Sequence, residues 1–169
     1  MNYTKGEVLL AEATMNQMRN SIYHLARFME KNGKSDITER LRGMGRNMAK
    51  TFVKYWRPTD IITVSNIKDV INTIYQKIVN SAVQIDINEN NNVITIKDKN
   101  CALCKYHYED INVAGCEILL GLVSEIISLI NKQSNDITSI YLEPYKVEES
   151  KAYGNLLCIQ EFHYKVGGR

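Results

Sequence analysis

The sequence predicts an α+β domain, and three observations carry that prediction. Apolar residues recur at helical spacing through the first third of the chain, the period changes to two from Ala82, and a long apolar run returns at Val113. The expected element order is α-α-α-β-β-α-β-β. At 169 residues the chain has the length of one domain with a full hydrophobic core, expected to span 1–169.

In the first helix Val8, Ala11, Met15, Met18, Ile22, Leu25 and Met29 are separated by steps of three and four, which lays them in one stripe. Asn32-Gly33 ends it. Ser35-Asp36 opens a second helix, with Glu39 placed as capping-box partner, and Pro58 stops it just after Trp56. Its apolar face is Ile37, Leu41, Met44, Met48 and Phe52, with Gly45 where a neighbouring backbone can come close. A third helix follows Ser65, carries Ile67, Val70, Ile71, Ile74 and Ile78, and ends near Asn80.

Val83, Ile85 and Ile87 then alternate with polar residues, Glu89–Asn92 turn, and Val93, Ile94 and Ile96 return as the second strand of a hairpin. A loop with Cys101 and Cys104 leads to a fourth helix, expected over Val113–Lys132 and apolar nearly all round. Glu117, Ser124, Glu125 and Ser128 interrupt it, so it reads as a buried helix and not a membrane span. Strands at about Ile137–Leu142 and Leu157–Tyr164 close the chain, with Pro144–Gly154 expected as a polar loop.

A net charge of +2 is too mild for a nucleic-acid-binding surface. The first residues lack the basic and apolar regions of a secretory signal, so the four cysteines are expected as reduced thiols in a cytoplasmic protein. Cys101-Ala-Leu-Cys104 is a zinc-ligand spacing, which Cys116, Cys158 or His107 would complete. Buried apolar thiols are the other reading of the same residues. Arg42, Arg46, Lys50 and Lys54 recur every four residues and, extended by Arg57, make a basic stripe on the second helix. Such a stripe suits an anionic membrane surface or an acidic partner, or is simply solvated.

No catalytic constellation is found. His24, His107 and His163 fall on three different elements, no serine sits in a nucleophile elbow, and Glu148-Glu149 reads as a solvated pair. No phosphate-binding glycine pattern occurs.

The element order and Leu41-Arg-Gly-Met44-Gly45-Arg-Asn47 together resemble the small core subunits of the TRAPP vesicle-tethering complex, over nearly the whole chain, with Gly115 and Gly121 in the fourth helix included. The C-terminal half also resembles the vinyl-4-reductase domain, through Cys101-x-x-Cys104, Cys116, and Glu149-Ser150 followed by Gly154 and Cys158. Ser150 stands where that domain often has a zinc-ligating cysteine, and Ser65 where one TRAPP subunit type has an acylated cysteine; a serine cannot form that thioester.

The resemblance implies a plait with a four-stranded antiparallel sheet and helices packed on one side. It also implies a homodimer, or a heterodimer with a paralogue, formed through the first two helices by Val8, Ala11, Met15, Met18, Ile22, Leu25, Met29, Ile37, Leu41 and Met48. The expected function is a non-catalytic trafficking adaptor presenting the Arg42–Arg57 face to a membrane or to a small GTPase or its regulator. The alternative is a sensor of the vinyl-4-reductase kind holding a hydrophobic ligand beneath the fourth helix, with or without zinc on Cys101, Cys104, Cys116 and Cys158.

Overall fold

A computed structural model of the chain describes residues 4–132 and 137–167. Its elements follow the expected order: α1 Lys5–Lys31, α2 Ile37–Tyr55, α3 Ile67–Val79, β1 Gln84–Asn88, β2 Val93–Asp98, α4 Glu117–Asn131, β3 Ile140–Glu149 and β4 Cys158–Val166. The strands form an antiparallel sheet in the order β1-β2-β4-β3. Along β2 and β4 every second residue is buried, and Ile94, Ile96 and Asp98 pair with Phe162, Gln160 and Cys158 on that covered face. The fold has the α+β element order that the residue periods imply, and its four-stranded antiparallel sheet is the plait that the resemblance implies.

Local chemistry sets the helix ends. Thr4 caps α1 by accepting from Glu7 N at 3.2 Å while the Glu7 carboxylate accepts from Thr4 N at 2.8 Å, a complete capping box. At the other end Gly33 takes φ +67, a backbone state that costs other residues, and Lys34 N closes the turn on Met29 O at 3.0 Å. The capping box expected at α2 is not formed. Asp36 pairs with Arg40 at 2.9 Å and Glu39 with Arg46, so both carboxylates serve ion pairs along the helix.

Two boundaries differ from expectation. α4 begins at Glu117 and not at Val113, because residues 113–116 form tight turns in which Gly115 N donates to the Tyr23 hydroxyl at 3.0 Å. The expected loop over Pro144–Gly154 is instead the second half of β3 followed by a 3-10 turn at Lys151–Tyr153. β3 is an edge strand, where a proline and register shifts after Pro144 and Val147 are tolerated.

α4 lies between α2 and β3 and is buried along nearly its whole length. The crossing with α2 brings backbone against backbone. A methyl group on Gly45 would overlap the carbonyl oxygen of Ile118, and one on Gly121 would overlap that of Arg42. Gly43, by contrast, has open space around it, its nearest neighbour being Arg46 Nη2 at 3.7 Å. Gly45→Ala or Gly121→Ala is therefore expected to destabilise the protein by about 3 kcal/mol in urea unfolding, the upper end for overpacking. Gly43→Ala should be neutral or stabilising by up to about 1 kcal/mol, as helix propensity alone dictates.

Candidate metal centre

Three elements converge at one end of the sheet. Cys101 and Cys104 lie in the loop leaving β2, Cys116 immediately precedes α4, and Cys158 opens β4 opposite Asp98. The four Sγ atoms all lie within 4.8 Å of one another, and all four side chains are buried. Among the described residues no histidine joins the cluster, so His107 is not the ligand that the loop spacing left open.

Hydrogen-bond donors surround the sulfurs. Cys116 N donates to Cys104 Sγ at 3.3 Å, the Tyr23 hydroxyl stands 3.5 Å from the same sulfur, and Ser150 Oγ is 3.6 Å from Cys158 Sγ. Burial pushes the Cys104 thiol up, yet hydrogen bonds from Cys101, Cys116, Cys158 and Ser150 outweigh it and hold this thiol well below its usual range. The Cys101 thiol is pushed well up, chiefly through its hydrogen bond with Cys104, and Cys116 chiefly through its bond with Cys101. The arrangement brings four sulfurs together in a dry site, with Cys104 the one most readily ionised. A single soft or borderline cation answers that chemistry, and the closed shell of four sulfurs leaves no position for substrate.

Ser150 stands beside this set and not in it: its hydroxyl accepts from Ala152 N at 3.1 Å and starts the 3-10 turn. Cys101 and Cys104 bring two sulfurs from the loop to those of Cys116 and Cys158. Ser65 is exposed in the turn before α3, bonded to Thr63 Oγ1 at 2.8 Å.

Arg42 corrects the basic stripe. It turns inward, with Nε 2.7 Å from Glu117 Oε2 and Nη2 3.0 Å from the Tyr145 carbonyl, and it is withdrawn from the surface expected to meet a membrane or partner. Burial pushes the Glu117 carboxyl above its ordinary value, and the Arg42 guanidinium pulls it part of the way back. Arg46 is half-buried in its pair with Glu39, while Lys50 and Lys54 are exposed on α2 with Arg57 just beyond it.

The expected pairing stripe also divides. Ile22, Met29 and Leu41 are buried inside the chain and are corrected to core residues, because the stripe that faces a partner in an isolated helix here faces the body of the protein. Met15, Met18, Ile37 and Met48 are half-buried against that core. Val8, Ala11 and Leu25 remain exposed, and Leu9, Leu10 and Phe28, which the heptad reading passed over, are exposed with them. Leu10 and Phe28 are 18 residues apart, five helical turns, and so share one line along α1. Three large apolar residues lying off the stripe were the available signal.

No helix among the described residues is long and apolar enough to cross a membrane. No protein-family model matches the chain, and no curated protein is similar to it in sequence. Among solved structures it is similar to a trafficking protein particle complex subunit 3 from Naegleria fowleri, described as covalently bound to palmitic acid. The match has a TM-score of 0.64 at 11% identity and covers 93% of this chain and 98% of that one. The fold is that of a TRAPP subunit.

Within this TRAPP-like fold the Arg42–Glu117 pair is open to direct test. Arg42→Met is expected to cost about 3–5 kcal/mol by leaving a buried carboxylate unpaired. Adding Glu117→Leu should recover most of that loss in a double-mutant cycle of urea midpoints.

Proposed function

We propose that the protein is a non-catalytic assembly subunit of the trafficking type, which pairs with a second copy or a paralogue through the outer face of α1 and the adjoining part of α2. The observation that carries this reading is the exposed apolar surface of α1. Residues 4–14 are exposed without a break, and Leu9 and Leu10 are each 69% and Phe28 65% accessible, with Leu25 on the same helix and Met44 on α2 also exposed. Apolar side chains this exposed on one long helix are expected to be covered in an assembly. A self-complementary helical seam of this kind closes as a two-fold dimer. The TRAPP-like fold supports the reading, since the similar solved protein is named as a subunit of a complex. Lys50 and Lys54, exposed on α2, are the charges for an anionic membrane or an acidic partner, such as a GTPase regulator.

A groove of about 880 Å³ favours a second reading, a ligand-binding module. It lies between α1, the end of α3 and the Cys101 loop, lined by Val8, Ala11, Met15, Arg19, Val79 and Lys105, away from α4 where an apolar ligand was expected. The similar structure carries palmitic acid covalently. In this chain Ser65 offers no thiol for a thioester, and in this second reading an apolar ligand is held in the groove without that bond.

Size-exclusion chromatography with light scattering at micromolar concentration separates the readings. The expected result is a dimer, and Leu10→Asp with Phe28→Asp should give a folded monomer with an unchanged far-UV spectrum. A wild-type monomer that retains an apolar molecule in native mass spectrometry would favour the second reading.

A further inference from the structure

The cysteine cluster joins more than its own three elements, because α1 rests on the loop that carries two of the sulfurs. Tyr23 on α1 accepts from Gly115 N at 3.0 Å, lies 3.1 Å from Leu103 O, and points its hydroxyl at Cys104 Sγ. One turn earlier, Arg19 is buried and donates through Nη1 to Ala102 O at 2.9 Å. One turn later, Arg27 clasps both oxygens of Asp110 at 2.6 and 3.0 Å. The rings of Tyr23 and Tyr108 stack at 4.1 Å between these pairs. Direct packing of α1 on α2 is slight by comparison. The loop from residue 99 to residue 116 has no helix or strand of its own.

We propose that Cys101, Cys104, Cys116 and Cys158 bind one zinc ion as four thiolates, and that this ion fixes the loop on which α1 is seated. A tetrahedral zinc site with bonds of about 2.3 Å needs sulfurs about 3.8 Å apart. The observed cluster, with every separation at or below 4.8 Å, reaches that spacing by a contraction of less than about 1 Å per pair. Ordinary buried cysteines would turn their sulfurs toward the surrounding isoleucine and leucine side chains; here the sulfurs converge on one another. Donors from Cys116 N, Tyr23 and Ser150 surround them, as they do metal-bound thiolates. Binding replaces the remaining thiol protons, which pass to solvent, and involves no redox step. A multi-iron cluster would hold its ligands farther apart than this. The ion links residues 101 and 158 across β2, α4 and β4, so the order of the intervening loop depends on it.

The zinc site stands by itself; its consequence for pairing rests on the dimer reading given above. The test uses the full chain purified under reductant. Elemental analysis is expected to find one zinc per chain, and titration of the thiols with a mercurial should release it. Cobalt should replace it with the intense visible bands of a tetrahedral tetrathiolate. Removing zinc should speed amide exchange of residues 19–29 at least about tenfold and reduce the dimer fraction in light scattering. Tyr23→Phe should keep the zinc stoichiometry while speeding exchange in the same residues. A chain that takes up neither zinc nor cobalt, whether its thiols are free or joined in a disulfide, overturns the metal site, as does stoichiometric iron. Wild-type α1 exchange after zinc removal, or unchanged exchange in Tyr23→Phe, overturns the seating of α1. A zinc-loaded monomer with metal-sensitive α1 exchange upholds this inference and overturns the pairing reading alone.

Discussion

Where α2 crosses α4, Gly45 and Gly121 leave no side chain between the two backbones, and the helices approach until peptide groups touch. At that distance weak Cα–H to carbonyl contacts and close dispersion packing replace side-chain interdigitation. The crossing also decides what its neighbours do. Arg42, one turn before Gly45, is carried inside the protein, and Glu117, one turn before Gly121, arrives opposite it. A guanidinium and a carboxylate that would each be costly in this interior satisfy one another and, through Arg42, the carbonyls of Pro144 and Tyr145. In this way α2, α4 and β3 are joined by one buried polar link.

The same placement of α4 brings Cys116 to the sulfur cluster. Since β2 and β4 are neighbours, Cys158 starts its strand where β2 ends and the Cys101 loop departs. The candidate metal centre thus sits where helix layer, sheet and loop meet, beside Leu103, Ile111, Val113 and Ala114, which bury the loop in the core. α1 is attached to the rest largely through this region. Its inner face buries Ile22, Ala26 and Met29 and adds polar contacts to the loop at Arg19, Tyr23 and Arg27, while Leu9, Leu10 and Phe28 stay exposed among polar residues.

Helices and strands were legible because their residue periods are local properties. The stripe on α1, the alternation in β1 and β2, and the continuous apolar run of α4 each follow from a few turns or pleats of chain. Pro144 misled, since a proline ends a central strand but sits without penalty on an edge, and edge position depends on where β4 lies. Arg42 misled for a related reason: its spacing from Arg46 and Lys50 is a helix property, but which side of α2 is covered depends on α4.

The sequence by itself determined the element order, the glycine that permits a close crossing, and the residue types capable of holding a metal. Only the tertiary structure decided that four cysteines spread over 58 positions bring their sulfurs within 4.8 Å, that Arg42 belongs to the interior, and that Leu10 and Phe28 stay open while Ile22 and Leu41 do not. Periodicity fixes which face of an element is apolar. What lies against that face is set by contacts between residues far apart in the chain, and no local pattern encodes those.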